Sequence, residues 1–325
     1  MFETEITRML DIKYPIIQGG MAFLARAELA AAVSNAGGLG ILVTSCFNTA
    51  EELKAEIGKT RAMTTKPFGV NIGLMSRDAT KIERDIEVAI DEGIGIIETN
   101  GPAIFKYVPW LKGKGVKILH KVTSLRHALA AERAGADAVA IYGYETGGHL
   151  SSTQDVTMLV QLPIVVDSLK VPVIAAGGIG DARGFVAALA LGAQGVIMGT
   201  RFMATRECPG HPGFKEWLVR AQETDTTIIG LPSGGTHRVL RNQAAEAILA
   251  MERQGLAKEA LIPFLSGDQV KKLVFEGNLE AGPVTCGQVV GLIHGVVSVQ
   301  ELIDSIIGEA KTICQRLNMD RQVLF

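Results

Sequence analysis

The run Gly143-Tyr144-Glu145-Thr146-Gly147-Gly148-His149 sets two adjacent glycines directly before a histidine, just after the apolar residues 138–141. Imidazole titrates near neutral pH, so a histidine delivered by such a loop can do proton chemistry. Glycines let another molecule approach the main chain closely. The plainer reading of the heptapeptide alone is a tight turn carrying a surface histidine. Two more glycine turns follow apolar runs. Ala176 leads into Gly177-Gly178-Ile179-Gly180, and Met198 leads into Gly199-Thr200. A glycine turn that opens a helix offers free backbone N–H groups and a positive helix end to an anion, and Thr200 adds a hydroxyl donor. Gly178 and Gly180 do not form a dinucleotide fingerprint, because Gly184 falls one position late for GxGxxG. Polar residues close three other apolar runs: Gln18-Gly19-Gly20-Met21, Asn71 and His120-Lys121.

The elements that must position these residues repeat along the chain. Short Val- and Ile-rich runs end near Ile17, Leu42, Val70, Glu98, Leu119, Ile141, Ala176 and Met198. Amphipathic stretches alternate with them at residues 27–35, 51–61, 81–92, 124–134, 155–169 and 182–191, several closing on Ala-Gly or Leu-Gly. Eight such units within roughly 200 residues predict an α/β fold, a (β/α)8 TIM barrel. Strand ends recur every ~21–28 residues, except between the sixth and seventh, where the gap is ~35. That extra length carries His149, on the face where this fold builds active sites. After the eighth strand, Pro209, Pro212, Gly230, Pro232, Gly234 and Gly235 break the pattern. The expected division is a barrel of residues 1–206 and 281–325 with a smaller helical lobe, 207–280, over its mouth. Residues 292–317 read as a final amphipathic helix, or two.

The chain of 325 residues is 47% hydrophobic and 20% charged, with a net charge of −2. It is globular, and nucleic acid or an anionic membrane surface is an unsuitable partner. No apolar run approaches a membrane span. The polar start Phe2-Glu3-Thr4-Glu5 does not read as a secretory signal, and Cys46, Cys208, Cys286 and Cys314 fit no zinc or disulfide pattern. A cytoplasmic protein without a metal is expected. Glu145 and His149 are four apart, but the glycines between them disfavour a helical metal pair. His127 and His211 read as surface residues, and His237 as a candidate for the wall of a substrate cleft.

Taken together, these motifs resemble the FMN-dependent nitronate monooxygenases and the related flavin-type enoyl-acyl-carrier-protein reductases. The likeness runs nearly end to end, through Tyr14-Pro15-Ile16-Ile17-Gln18-Gly19-Gly20-Met21, Ser34-Asn35-Ala36-Gly37-Gly38-Leu39-Gly40 and Pro67-Phe68-Gly69-Val70-Asn71. It continues in Gly147-Gly148-His149, Ala175-Ala176-Gly177-Gly178-Ile179, Met198-Gly199-Thr200-Arg201-Phe202 and Gly287-Gln288-Val289-Val290-Gly291-Leu292-Ile293. At Ser151 the chain departs from the family's Gly-Gly-His-x-Gly.

The resemblance implies FMN as cofactor. Gly20, Met21, Asn71, Lys121, Gly148 and Ala176 would line it, and Gly177, Gly178, Gly199 and Thr200 would hold its phosphate. A cation such as Lys121 near the N1–C2 carbonyl edge stabilises a reduced flavin anion. His149 matches the family's histidine beside the substrate. The activity expected first is oxidation of an alkyl nitronate with O2. The alternative is NAD(P)H-dependent reduction of an enoyl thioester or a quinone; a third reading is a flavin-binding protein without catalysis. A homodimer is left open.

Overall fold

The computed structural model describes residues 2–74, 78–150, 155–230, 235–255, 261 and 263–321; Ser151, Pro232 and Gly234 lie outside them. In chain order the strands are β1 (Ile16–Gln18), β2 (Gly40–Val43), β3 (Phe68–Gly73), β4 (Ile96–Asn100), β5 (Lys117–Val122) and β6 (Ala138–Tyr142). They continue with β7 (Gly148–Leu150), β8 (Val173–Ala176), β9 (Gly195–Met198), β10 (Thr226–Gly230) and β11 (Thr236–Leu240). Eight of them form one parallel sheet in the order β1-β9-β8-β6-β5-β4-β3-β2. A parallel bridge from Ile17 to Leu39 joins the two ends, with Gln18 N donating to Leu39 O at 2.9 Å. The barrel is closed by that seam. Gln18 is itself fully buried there, its Oε1 accepting from Ile41 N at 3.1 Å. This polar strand end serves the wall and not a ligand.

Strand residues alternate between two apolar layers, as a period of two requires. Ile17, Ile41, Ile96, Leu119, Ala140 and Ile174 belong to the cluster inside the barrel. Ile16, Leu42, Val70, Ile97, Ile118 and Val139 belong to the larger cluster that packs under the helices. The helix Glu5–Leu10 contributes Ile6 and Leu10 to the inner cluster, with Ile6 against Gly195 at the start of β9, so it plugs the end away from the strand C-termini. Two residues beyond the inner Ile96, Leu119 and Ala140 stand Glu98, Lys121 and Tyr142. On β4, β5 and β6 the uppermost inward positions are therefore polar.

The helices Ala27–Asn35, Ala50–Met63, Ala79–Asp91, Leu125–Ala134, Met158–Ser168 and Ala182–Ala190 match the periodic stretches to within a few residues. A further helix, Ile104–Gly113, carries Pro109 in its interior, a residue that usually argues against one. The final helix, Val299–Arg321, starts later than the apolar periodicity suggests because Gln288–Leu292 forms a separate short turn of 3-10 helix. The segment after β9 contains the helices Pro212–Arg220, Gln243–Arg253 and Gly267–Glu276. It also contributes β10 and β11, which the composition did not signal. β11 pairs antiparallel with β10 on one side and with β7 on the other. Ile229, Val239, Ala245, Ile248 and Leu261 give this region a small core of its own. Among the described residues no helix is long and apolar enough to cross a membrane.

Candidate active site

The two glycines before His149 do different work. A Cβ at Gly147 would lie 2.5 Å from Gly287 N and 2.6 Å from Cys286 C, so only glycine allows that backbone approach. Gly148 has φ +82°, a conformation L side chains rarely adopt. The chain then enters β7, where His149 stands opposite His237 of β11. Their rings meet edge to face with centroids 4.0 Å apart. Around them the loop is pinned from three sides. Arg238 donates to Tyr144 O at 3.1 Å and to Thr226 Oγ1 at 3.0 Å, and its guanidinium lies over the Tyr144 ring. Glu145 Oε1 accepts from Met158 N at 3.1 Å, and Glu145 O accepts from Gln288 N at 3.0 Å. His149 is thus held on a strand and not on a free loop.

Below it lies the polar layer. Glu98 Oε2 accepts from Asn71 Nδ2 at 2.8 Å, from Lys121 Nζ at 3.0 Å and, weakly, from Gly20 N at 3.4 Å. The Lys121 and Glu98 side chains are 8% and 0% exposed, so this is a buried ion pair. Burial alone would lower the Lys121 ammonium; Glu98 and Tyr142 more than reverse that and hold it up, so it stays charged. Glu98 Oε1 is buried with no hydrogen-bond partner among the described residues. Asn71, Lys121 and Gly20 are thus brought into one cluster by a carboxylate absent from the sequence-based site. A lone acid closing the apolar run Ile96-Ile97 was the available signal. His120, one residue from Lys121, points to the other layer and bonds Thr99 Oγ1 through Nδ1 at 2.8 Å. It is a core residue.

The remaining site residues stand at the same end of the barrel. Gly177 and Gly178 follow Ala176 with φ +90° and +71°, and a Cβ at Gly177 would come within 2.8 Å of Thr146 Cβ. Thr200 Oγ1 accepts from Gly287 N at 3.0 Å, which ties it to the segment under Gly147. Gly199 differs from the other glycines. Its φ is −110°, and the nearest atom to an added Cβ is Met21 Sδ at 3.7 Å. A Cβ there is unstrained and makes only an ordinary contact with Met21. Gly199→Val is therefore expected to keep the fold while weakening flavin binding by about 10- to 100-fold, the usual scale for overpacking a filled site. Flavin titration of the refolded apoprotein checks this, and unchanged affinity would mean the space is not the cofactor's.

Both mouth histidines are biased toward the neutral form. Burial first, then the charge of Lys121, lowers His149, although its side chain keeps an exposed face that moderates the effect. Burial and the neighbouring His149 push His237 down to about 3, and burial pushes His120 down to about 4. In the unfolded chain these groups take up a proton near the ordinary histidine value of about 6.5. Between pH 6.5 and 5 the unfolded state therefore binds more protons, and stability falls on acidification by up to about 1.4 kcal/mol per pH unit for each. Urea midpoints across that window should drop, and His237→Asn should flatten the slope; an unaltered slope would refute the assignment.

A larger concavity of about 510 Å³ lies on the outer wall, lined by Glu28, Ala31, Asn35, Met63, Arg206 and Cys208. It includes none of the strand-end residues. Among the described residues no cluster of His, Cys, Asp or Glu could hold a metal ion.

A barrel with glycine turns after its last two strands and a histidine at its mouth is built like an enzyme whose cofactor or substrate carries a phosphate. The family model described as nitronate monooxygenase matches residues 3–309, and the chain belongs to that family. It is 35% identical to a Rhodococcus jostii (strain RHA1) protein described as (3aS,4S,5R,7aS)-5-hydroxy-7a-methyl-1-oxo-octahydro-1H-indene-4-carboxyl-CoA dehydrogenase, over 94% of this chain and 95% of the relative. A Staphylococcus haemolyticus (strain JCSC1435) protein described as a probable nitronate monooxygenase is 33% identical over 77% of this chain and 82% of its own. The structure of FabK from Thermotoga maritima superposes with a TM-score of 0.88 at 41% identity, covering 97% of this chain and 98% of that one. The protein is an oxidoreductase of this family.

Proposed function

We propose that the protein is an FMN-dependent oxidoreductase of an acyl thioester, exchanging electrons with a pyridine nucleotide. The observation that carries the choice of substrate is the edge-to-face pair of His149 and His237 at the mouth, where burial disfavours the charged imidazole. A cation would be the better anchor for an anionic nitronate. A neutral imidazole suits a hydroxyl or a thioester carbonyl: it accepts a proton from the first and donates an N–H to the second. The carboxyl-CoA dehydrogenase from Rhodococcus jostii, matched over nearly the whole of both chains, supports the same class.

The residues fit the cofactor. An added Cβ at Gly199 is unstrained and would meet only Met21, and Glu98 Oε1 is a buried acceptor in need of a donor. Gly20, Met21, Asn71, Lys121, Gly148 and Ala176 would line the ring, while Gly177, Gly178, Gly199 and Thr200 would take the single phosphate. FMN, when bound, supplies the two-electron transfer that side chains cannot. His149 orients the substrate and moves its proton, and residues 207–280 form the substrate lobe above it. The second reading, nitronate oxidation with O2, is favoured by the name of the Staphylococcus haemolyticus relative.

The test compares NADH or NADPH consumption with crotonyl-CoA against O2 uptake with propyl-2-nitronate, on protein whose heat-released flavin has been identified. The expected result is FMN in the supernatant and faster turnover with the thioester. Nitronate turnover without nucleotide consumption would favour the second reading, and stoichiometric FAD would overturn the cofactor.

A further inference from the structure

We infer that Glu98 reads the pyrimidine edge of the flavin, its free oxygen accepting a hydrogen bond from flavin N3–H between donors from Lys121 and Asn71. The inference rests on the flavin reading of the site and is independent of which substrate the enzyme takes.

Glu98 is the most deeply buried charge of the polar layer, at 0% exposure, and its two oxygens are treated unequally. Oε2 takes the Asn71 amide, the Lys121 ammonium and the distant Gly20 N–H, while Oε1 takes nothing. A buried carboxylate oxygen left without a donor is costly, and such orphans usually mark a missing partner. A purely structural ion pair between β4 and β5 accounts for Oε2 but not for Oε1.

The donors around Oε2 are not exhausted either. An ammonium has three N–H groups and a carboxamide two. Lys121 spends one on Glu98 and one on Tyr142, and Asn71 spends one on Glu98, so each keeps a donor. The cluster can therefore present donor, acceptor, donor: Lys121, Glu98 Oε1, Asn71. The pyrimidine edge of an isoalloxazine presents the complement, C2=O, N3–H and C4=O, with a single donor in the middle. Gly20 belongs to the same device. A Cβ there would lie 2.8 Å from Asn71 Cγ, so glycine leaves room for the amide to hold its place. Glu98 also offsets the charge of Lys121, which tempers the pull of that ammonium on flavin electrons.

The probe is 3-methyl-FMN, which lacks the N3 proton. Apoprotein should bind FMN about 10- to 100-fold more tightly than 3-methyl-FMN, the scale of a hydrogen bond to a charged acceptor. In Glu98→Ala that preference should collapse to within about threefold, near the limit of additive behaviour. Glu98→Gln, which keeps the volume, provides a readout that survives if the alanine variant does not fold. Its bound flavin should have a higher midpoint potential, because Lys121 is left uncompensated. Equal affinity of the wild type for both flavins, full preference retained in Glu98→Ala, or an unshifted potential in Glu98→Gln would each overturn the assignment. Wild-type protein that binds neither flavin would instead overturn the flavin reading and this inference with it.

Discussion

His149→Ala is expected to leave the protein folded and flavin-loaded while lowering turnover by about 10²–10⁴-fold, the usual contribution of a positioned acid or base. The fold should survive because the side chain has an exposed face and its one ring partner among the described residues is His237. β7 is held by backbone pairing with β11, which alanine preserves. The loss should be chemical. If His149 takes a proton from a substrate hydroxyl, wild-type kcat/KM rises with pH through a midpoint below 6.5, in the direction that burial and Lys121 push it, and that limb is missing in the variant. If it only hydrogen-bonds a carbonyl, turnover falls without a change of profile. For nitro compounds the same variant separates the roles differently, since a base is needed for a neutral nitroalkane but not for a preformed nitronate. Near-wild-type turnover with every substrate class would make His149 a structural residue.

Lys121→Met should be the most damaging single change to stability among the site residues. It leaves the Glu98 carboxylate at 0% exposure without its cation, and breaking a buried pair from one side costs about 3–5 kcal/mol. Asn71 and Gly20 still donate to Oε2, which favours the lower end of that range. Removing the charge from both partners is far milder, because a neutral pair of similar volume has little to desolvate. Urea denaturation of apoprotein should therefore show Lys121→Met strongly destabilised and Lys121→Met/Glu98→Gln substantially recovered. A double variant as unstable as the single one would mean that Lys121 acts through packing and not through charge.

Much of this architecture was legible in the residue pattern, for local physical reasons. Eight Val- and Ile-rich runs separated by helices announce a parallel sheet because each strand is buried on both faces, and all eight form the barrel. The strand ends carrying Asn71, Lys121, Ala176 and Met198 follow from the same pattern. What lay hidden depends on contacts between distant segments. The pairing of β7 with β11 sets His149 against His237, some 90 residues away, and no local propensity encodes it. Glu98 was visible only as the last residue of an apolar run. Its importance comes from side-chain direction: two residues beyond Ile96 it faces inward, where Asn71 and Lys121 meet it. Gln18 taught the reverse, a polar strand end consumed by the barrel seam. Pro109 misleads because the helix Ile104–Gly113 packs Tyr107, Val108 and Leu111 into the core, and tertiary burial outweighs the lost hydrogen bond.

The central claim is that electrons pass between a pyridine nucleotide and an acyl thioester at this site. Anaerobic stopped-flow mixing of the flavin-loaded enzyme with NADH, NADPH and propyl-2-nitronate tests it most directly, followed by crotonyl-CoA added to whatever has been reduced. Rapid bleaching of the flavin band by one nucleotide, and its return on adding the thioester, is the predicted outcome. A flavin inert to both nucleotides but bleached by the nitronate would contradict it.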